Sequence, residues 1–152
     1  MNDVKRILLV EDNAKDIELT LAAVAKARLV NGVTVVRDGV EALDHLLAPG
    51  RDEEDVPAVV LLDIKLPRIN GLEVLERIKR DPAARRIPVV MFTSSREEPD
   101  LARAYALGVN AFVVKPLNYQ EFFKAIRDIG IFWGTLNELP AVRQGPLSPG
   151  PV

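Results

Sequence analysis

Five short apolar runs constrain this chain more than any other feature: Ile7 to Val10, Val33 to Val36, Val59 to Leu62, Val89 to Phe92 and Ala111 to Val114. Each is uninterrupted and rich in β-branched residues, the pattern of a strand buried on both faces. Apolar residues recur at helical spacing after each run. The first helix carries Ile17, Leu21 and Val24, the second Val40, Leu43 and Leu47, and the third Leu72, Leu75, Ile78 and Lys79. A fourth starts near Pro99 and runs through Leu101 and Tyr105 to Gly108, a C-cap residue; a fifth carries Phe122, Ile126, Ile129 and Trp133. Each predicts a helix laying one stripe on a sheet. Five strands and five helices in strict alternation imply a parallel sheet with right-handed crossovers, a doubly wound α/β fold. Ligands of such a sheet sit beyond the carboxyl ends of its strands.

Length and composition narrow the chemistry. A chain of 152 residues with 48% apolar content supports one domain with a substantial core. A net charge of -2 supplies no broad basic field for gripping nucleic acid. With no cysteine, disulfides, thiolate nucleophiles and cysteine-bound zinc are excluded. The N-terminal apolar run is only four residues long, too short for a secretory or membrane segment, so a cytoplasmic protein with no membrane contact is expected. The charged stretch Arg51 to Asp55, within the connection from Pro49 to Pro57, reads as a solvated loop. After Gly134 four prolines, with Gly145 and Gly150, argue against helix or strand. The expected organisation is a domain over residues 1–134 and a Pro/Gly-rich extension over 135–152, with no output domain.

The residues at the strand ends are polar: Glu11 and Asp12 after the first, Asp63 after the third, Thr93 after the fourth, Lys115 after the fifth. Taken singly each has an ordinary role, Asp12 or Asn13 as a cap of the first helix, Thr93, Ser94 or Ser95 as a cap of the fourth, Lys115 as a surface lysine. Taken together they belong around one crevice. Clustered carboxylates repel unless a cation intervenes, and an all-oxygen site suits Mg²⁺. An aspartate beside such an ion can attack a phosphoryl donor and form an acyl phosphate, with a lysine and a hydroxyl neutralising the phosphoryl oxygens. Asp63 is the best placed nucleophile, because it closes the third strand and is followed by a loop from Ile64 to Gly71 with proline and glycine punctuation.

Over Lys5 to Trp133 the chain resembles the receiver domains of two-component response regulators. The matching pieces are Ile7 to Asn13, Leu61 to Pro67 through Gly71, Phe92-Thr93-Ser94 and Phe112 to Pro116. The resemblance implies a flavodoxin-like (βα)5 fold with strand order 2-1-3-4-5. It implies that Asp63 accepts phosphate from a histidine kinase, and that Asp12, Asp63 and the backbone carbonyl of Lys65 bind Mg²⁺ with help from Glu11. Thr93 and Phe112 correspond to the switch pair that biases the surface of the fourth helix, fifth strand and fifth helix. By itself, an aromatic residue such as Phe112 reads as plain core. Lys115 would contact the phosphoryl group, and the Lys115–Pro116 bond would be cis. Lys65 stands where relatives often carry a neutral or acidic residue, and is expected to alter the lifetime of the acyl phosphate.

The segment Phe132-Trp133-Gly134 with Asn137-Glu138-Leu139-Pro140 resembles more narrowly the small single-domain regulators that partner bacterial phytochromes. That likeness implies a bacteriophytochrome-type kinase as partner and a homodimer, with Phe123, Phe132 and Trp133 as candidate dimer surface. The alternative for Trp133 is that it folds back on its own domain. Two other functions compete. A phosphatase of the haloacid dehalogenase type uses a similar Asp, Thr and Lys set, but carries an acid two positions after the nucleophile, where this chain has Lys65. A docking module that is never phosphorylated would not need the complete acidic and lysine set. No G-x-x-x-x-G-K pattern follows the first strand, which argues against nucleotide binding. The lone His45 reads as an ordinary helical residue, so the donor histidine belongs to another protein.

Overall fold

The structure, a computed structural model, describes residues 5–47 and 56–138. Its strands are β1 (Ile7–Val10), β2 (Val33–Val36), β3 (Val59–Leu62), β4 (Val89–Thr93) and β5 (Ala111–Val114). They form one sheet in the order β2-β1-β3-β4-β5, every pairing parallel. The helices are α1 (Ala14–Lys26), α2 (Gly39–Leu46), α3 (Gly71–Arg80), α4 (Glu98–Ala106) and α5 (Tyr119–Ile131). The expected doubly wound α/β architecture and strand order are both present.

Position in the sheet explains the strand burial. The three inner strands are buried along their whole length, whereas β2 and β5, each paired on one side only, are half-buried apart from Val36. Successive side chains point to opposite faces, so each strand feeds two cores. Leu8, Val10, Val60, Leu62 and Met91 meet the inward faces of α2 and α3, through Leu43, Leu46, Leu75 and Ile78. Ile7, Leu9, Leu61 and Phe92 meet Ile17 and Val24 of α1 and Phe122 and Ile126 of α5. There the Phe92 and Phe122 rings stack edge to face, 5.2 Å apart.

Packing corrected several helical stripes. In α1 the buried residues are Ile17, Thr20, Ala23 and Val24, while Leu21 is 40% exposed. In α2 they are Gly39, Ala42, Leu43 and Leu46, so the helix turns Ala42 and Leu46 inward more completely than Val40 and Leu47. In α3 Val74 is fully buried and Leu72 only partly. Lys79 bridges elements: its ammonium donates to the carbonyls of Arg85 and Ile87 and to Asn110 Oδ1, at 3.0 to 3.1 Å. Burial holds its pKa below the ordinary lysine value.

Four helices begin with one device. The side chains of Asn13, Asp38, Asn70 and Asn118 accept the N–H of Asp16, Glu41, Glu73 and Glu121, each an acid in the first turn. In a parallel sheet these starts follow the carboxyl ends of β1, β2, β3 and β5, which places capped turns around the edge where ligands bind.

The expectation of no helix beyond Gly134 was incorrect for the two residues that follow. After α5 the chain continues as a π-helical turn over Phe132–Leu136. The Asn137 N–H reaches the Phe132 carbonyl at 2.7 Å, and Thr135 Oγ1 donates to the Ile131 carbonyl at 2.6 Å. Helical bonding can pass this point because the prolines begin only at Pro140. Residues 139–152 of the Pro/Gly-rich extension, and the charged stretch Arg51 to Asp55, lie outside the described residues.

Candidate functional site

At the carboxyl edge of the sheet the chain leaves β1 into Glu11, β3 into Asp63 and β5 into Lys115. All three are at least nine-tenths buried. Parallel register brings them together: the Glu11 N–H bonds the last residue of β2, the Asp63 N–H bonds the carbonyl of Val10, and the Lys115 N–H bonds the carbonyl of Thr93. Lys115 Nζ then donates to Glu11 Oε1 at 2.6 Å, to Asp63 Oδ2 at 3.0 Å and to Asp16 Oδ2 at 2.7 Å.

Each acid is also held by the backbone. Asp63 Oδ1 accepts the Ile64 N–H at 2.7 Å, leaving Oδ2 for the ammonium. Glu11 Oε2 accepts the Asn13 N–H at 3.2 Å. Burial dominates the electrostatics of Glu11, pushing its pKa up to about 7. The hydrogen bond and charge of Lys115 pull it down, nearby Asp63 pushes it up, and the Asn13 N–H lowers it slightly. For Lys115, burial alone would lower the pKa, but hydrogen bonds to Asp16 and Glu11 and the charges of Glu11 and Asp63 outweigh it and raise the value. The ammonium is therefore charged throughout the physiological range.

The other expected residues take different positions. Thr93 is fully buried at the end of β4, its Oγ1 accepting the Ser95 N–H at 3.3 Å. Ser95 in turn donates to Asp100 Oδ2 at 2.6 Å, which ties this strand end to α4. Asp12 and Lys65 are exposed beside the buried acids. Phe112 is half-buried and packs against the core shared by α2 and α3. Phe123 and Trp133 pack against the core of α1 and α5, so Trp133 folds back on its own domain, while Phe132 is 48% exposed and meets the Trp133 ring edge to face at 4.8 Å.

The Lys115–Pro116 bond was expected to be cis, and that expectation is corrected: no cis peptide occurs among the described residues. Trans is the lower-energy form of an X–Pro bond, and the Lys115 side chain reaches all three acids with the bond in that form.

The sequence reading missed Asp16. Its place three residues after the cap Asn13 marks it as an acid favoured by the helix N-terminus, and nothing local points it toward a lysine 99 residues away. Gly71, read in the sequence as loop punctuation, has a sharper role: a Cβ there would strike the carbonyl oxygen of Asp63, so only glycine allows α3 to start this close to the acid. Arg68, in the same loop, has a φ of 71°, a left-handed conformation that turns the chain back toward α3.

Among the described residues no three acids or histidines are grouped as ready-made metal ligands. The donor chemistry nevertheless fits a hard divalent cation: two buried carboxylates, a third at Asp12, and the carbonyls of the loop after Asp63. A buried glutamate whose charged form is disfavoured is a group that a cation would stabilise.

The family description of the response regulator receiver domain matches residues 7–127. This chain belongs to that family. It is similar to the response regulator Rcp1 of Synechocystis sp. (strain ATCC 27184 / PCC 6803 / Kazusa), 38% identical over 141 residues, which covers 92% of this chain and 96% of Rcp1. Among solved structures it is similar to the phosphorylated cyanobacterial phytochrome response regulator RcpA, with a TM-score of 0.81 and 39% identity over 90% of this chain and 99% of that one. The bacteriophytochrome response regulator AtBRR is 58% identical, with a TM-score of 0.68 over 89% of this chain and 99% of that one. As a receiver domain, the chain is a two-component signalling protein related to phytochrome response regulators.

Proposed function

We propose that this receiver accepts a phosphoryl group on Asp63 from the phosphohistidine of a phytochrome-type histidine kinase, with Mg²⁺ bound beside it. The observation that carries the reading is the Lys115 ammonium held between the buried carboxylates of Glu11 and Asp63. A cation fixed next to a buried acid is what an acyl phosphate requires, because it stands where negative charge will develop. Asp63 Oδ2 forms the new O–P bond as the N–P bond of the phosphohistidine breaks, and the imidazole leaves and takes a proton from solvent. The Ile64 N–H holds Oδ1, so the other oxygen is presented to the donor. Glu11, Asp12, Asp63 and the Lys65 carbonyl would hold the Mg²⁺. When bound, the ion would neutralise phosphoryl oxygens and offset the repulsion among the acids.

Thr93 and Phe112 act as the switch pair in this reading. Thr93 Oγ1 accepts the Ser95 N–H and Ser95 donates to Asp100, which links the end of β4 to α4, while Phe112 lies on the neighbouring strand β5. The likeness to RcpA and AtBRR, a phytochrome and a bacteriophytochrome response regulator, favours a phytochrome-type kinase and with it the cytoplasm. A homodimer is proposed on α4, α5 and the turn after α5, with exposed Tyr119, Phe132 and Leu136 supplying apolar surface beside Phe123 and Trp133. The chain's part in the chemistry is that of a phosphoacceptor catalysing its own transfer and hydrolysis, not of an enzyme with a separate substrate.

The test is to treat the protein with acetyl phosphate and Mg²⁺ and locate the added mass by peptide mapping. A single phosphoryl group on the peptide containing Asp63, absent from Asp63→Asn and without Mg²⁺, is expected. A mark that survives Asp63→Asn overturns the assignment.

A further inference from the structure

An ammonium has three N–H donors. In this structure carboxylates take all three: Glu11 at 2.6 Å, Asp16 at 2.7 Å and Asp63 at 3.0 Å. Glu11 and Asp63 belong to the proposed phosphoryl and cation site, whereas Asp16 does not. It stands on the first turn of α1, with its N–H on Asn13 Oδ1 at 3.0 Å and its carbonyl accepting the Thr20 hydroxyl at 2.8 Å. A capped helix therefore fixes where its carboxylate can reach. Its side chain is 24% exposed, against 3% for Glu11 and 8% for Asp63, so it is the partner of Lys115 with access to water.

This geometry leaves Lys115 no free N–H for a phosphoryl oxygen. Phosphorylation would make one Asp63 oxygen the bridging atom of an acyl phosphate, a poorer acceptor, and set anionic oxygens beside it that need a donor. Glu11, with a side chain only 3% exposed, has little access to water to replace the ammonium. Asp16 can be resolvated, so its release is the least costly. We propose that Asp16 is a positioning residue that competes with the phosphoryl group for the Lys115 ammonium and so limits the stability of the phosphorylated state. The inference rests on the reading of Asp63 as phosphoacceptor.

The experiment measures binding of beryllofluoride, which mimics a phosphoryl group on a carboxylate, by calorimetry and ¹⁹F resonance at saturating Mg²⁺. The proteins compared are the parent, Asp16→Asn, Asp16→Glu, Lys115→Ala and the double variant Asp16→Asn/Lys115→Ala. Freeing one charge-assisted donor should tighten beryllofluoride binding about fivefold in Asp16→Asn. Asp16→Glu, which keeps a carboxylate, should stay near the parent. In the Lys115→Ala background Asp16→Asn should change nothing, since no ammonium remains to compete for. Should that background fail to fold, the ¹⁵N resonance of the Lys115 side chain decides, shifting further on beryllofluoride addition in Asp16→Asn than in the parent. Unchanged or weaker binding in Asp16→Asn overturns the proposal, as does an equal gain with and without Lys115 or an equal ¹⁵N shift. If the parent does not bind, or binding survives Asp63→Asn, the phosphoacceptor reading has failed instead.

Discussion

Lys115 Nζ lies 3.0 Å from Asp63 Oδ2, joining the ends of β5 and β3 across the intervening β4. One side chain therefore spans the site from the sheet edge to its centre. Truncating it leaves Glu11 and Asp63 buried with no counter-charge. Lys115→Ala is expected to slow phosphorylation by acetyl phosphate at least tenfold, on the order of the loss of one preorganised charge contact. Comparable rates in the two proteins would show that the ammonium plays no part in transfer.

The raised pKa of Glu11 predicts a pH dependence of stability without added metal. Its folded value is about 7 against an ordinary 4.5, so the folded state binds more protons between those limits. Unfolding free energy therefore falls as pH rises through that window, by on the order of 2 kcal/mol. The raised pKa of Lys115 adds stability that is fully present across this range and is lost only at strongly alkaline pH, so it does not cancel the slope. Urea melts from pH 4.5 to 7.5 in chelator measure the effect. Saturating Mg²⁺ is expected to flatten it, since a cation favours charged Glu11.

Gly71→Ala tests the close approach of α3 to the site. The added Cβ meets backbone, the carbonyl oxygen of Asp63, which cannot rotate away as a side chain would. Destabilisation of about 2–3 kcal/mol is expected, with weaker Mg²⁺ binding because the loop carrying Asp63 is displaced. A melt and Mg²⁺ affinity like the parent's would show that the loop absorbs a methyl group freely.

Lys65 is exposed two residues after Asp63, with its side chain free of the buried ion cluster. Lys65→Ala is expected to shorten the acyl phosphate lifetime about two- to fivefold, by removing a cation and a screen against attacking water. Following phosphate release after rapid removal of acetyl phosphate gives the rate, and an unchanged half-life would remove Lys65 from the kinetic account.

Asn31 anchors the turn after α5. Its amide donates to the carbonyls of Lys5 and Gly134 at 2.6 and 3.2 Å, and its buried Oδ1 has no hydrogen-bond partner. Asn31→Ala is expected to cost about 1–2 kcal/mol and to loosen the turn. Trp133, the sole tryptophan, would report this by a red shift of its emission as water reaches the ring. An unshifted spectrum would mean the turn is held elsewhere.

Much of this was legible in sequence because it depends on local pattern. Short uninterrupted runs rich in β-branched residues read as buried strands, and their alternation with helical segments implies a parallel sheet, at whose carboxyl edge Glu11, Asp63, Thr93 and Lys115 all lie. What the tertiary structure alone decided are relations between distant residues. The turn of α2 that buries Leu46 rather than Leu47 depends on the sheet beneath it. Asp16 meets Lys115 because the start of α1 and the end of β5 converge, and no periodicity carries the direction of a carboxylate across 99 residues. Local patterns specify which face of an element is apolar; only packing specifies which charges from separate elements share one ammonium.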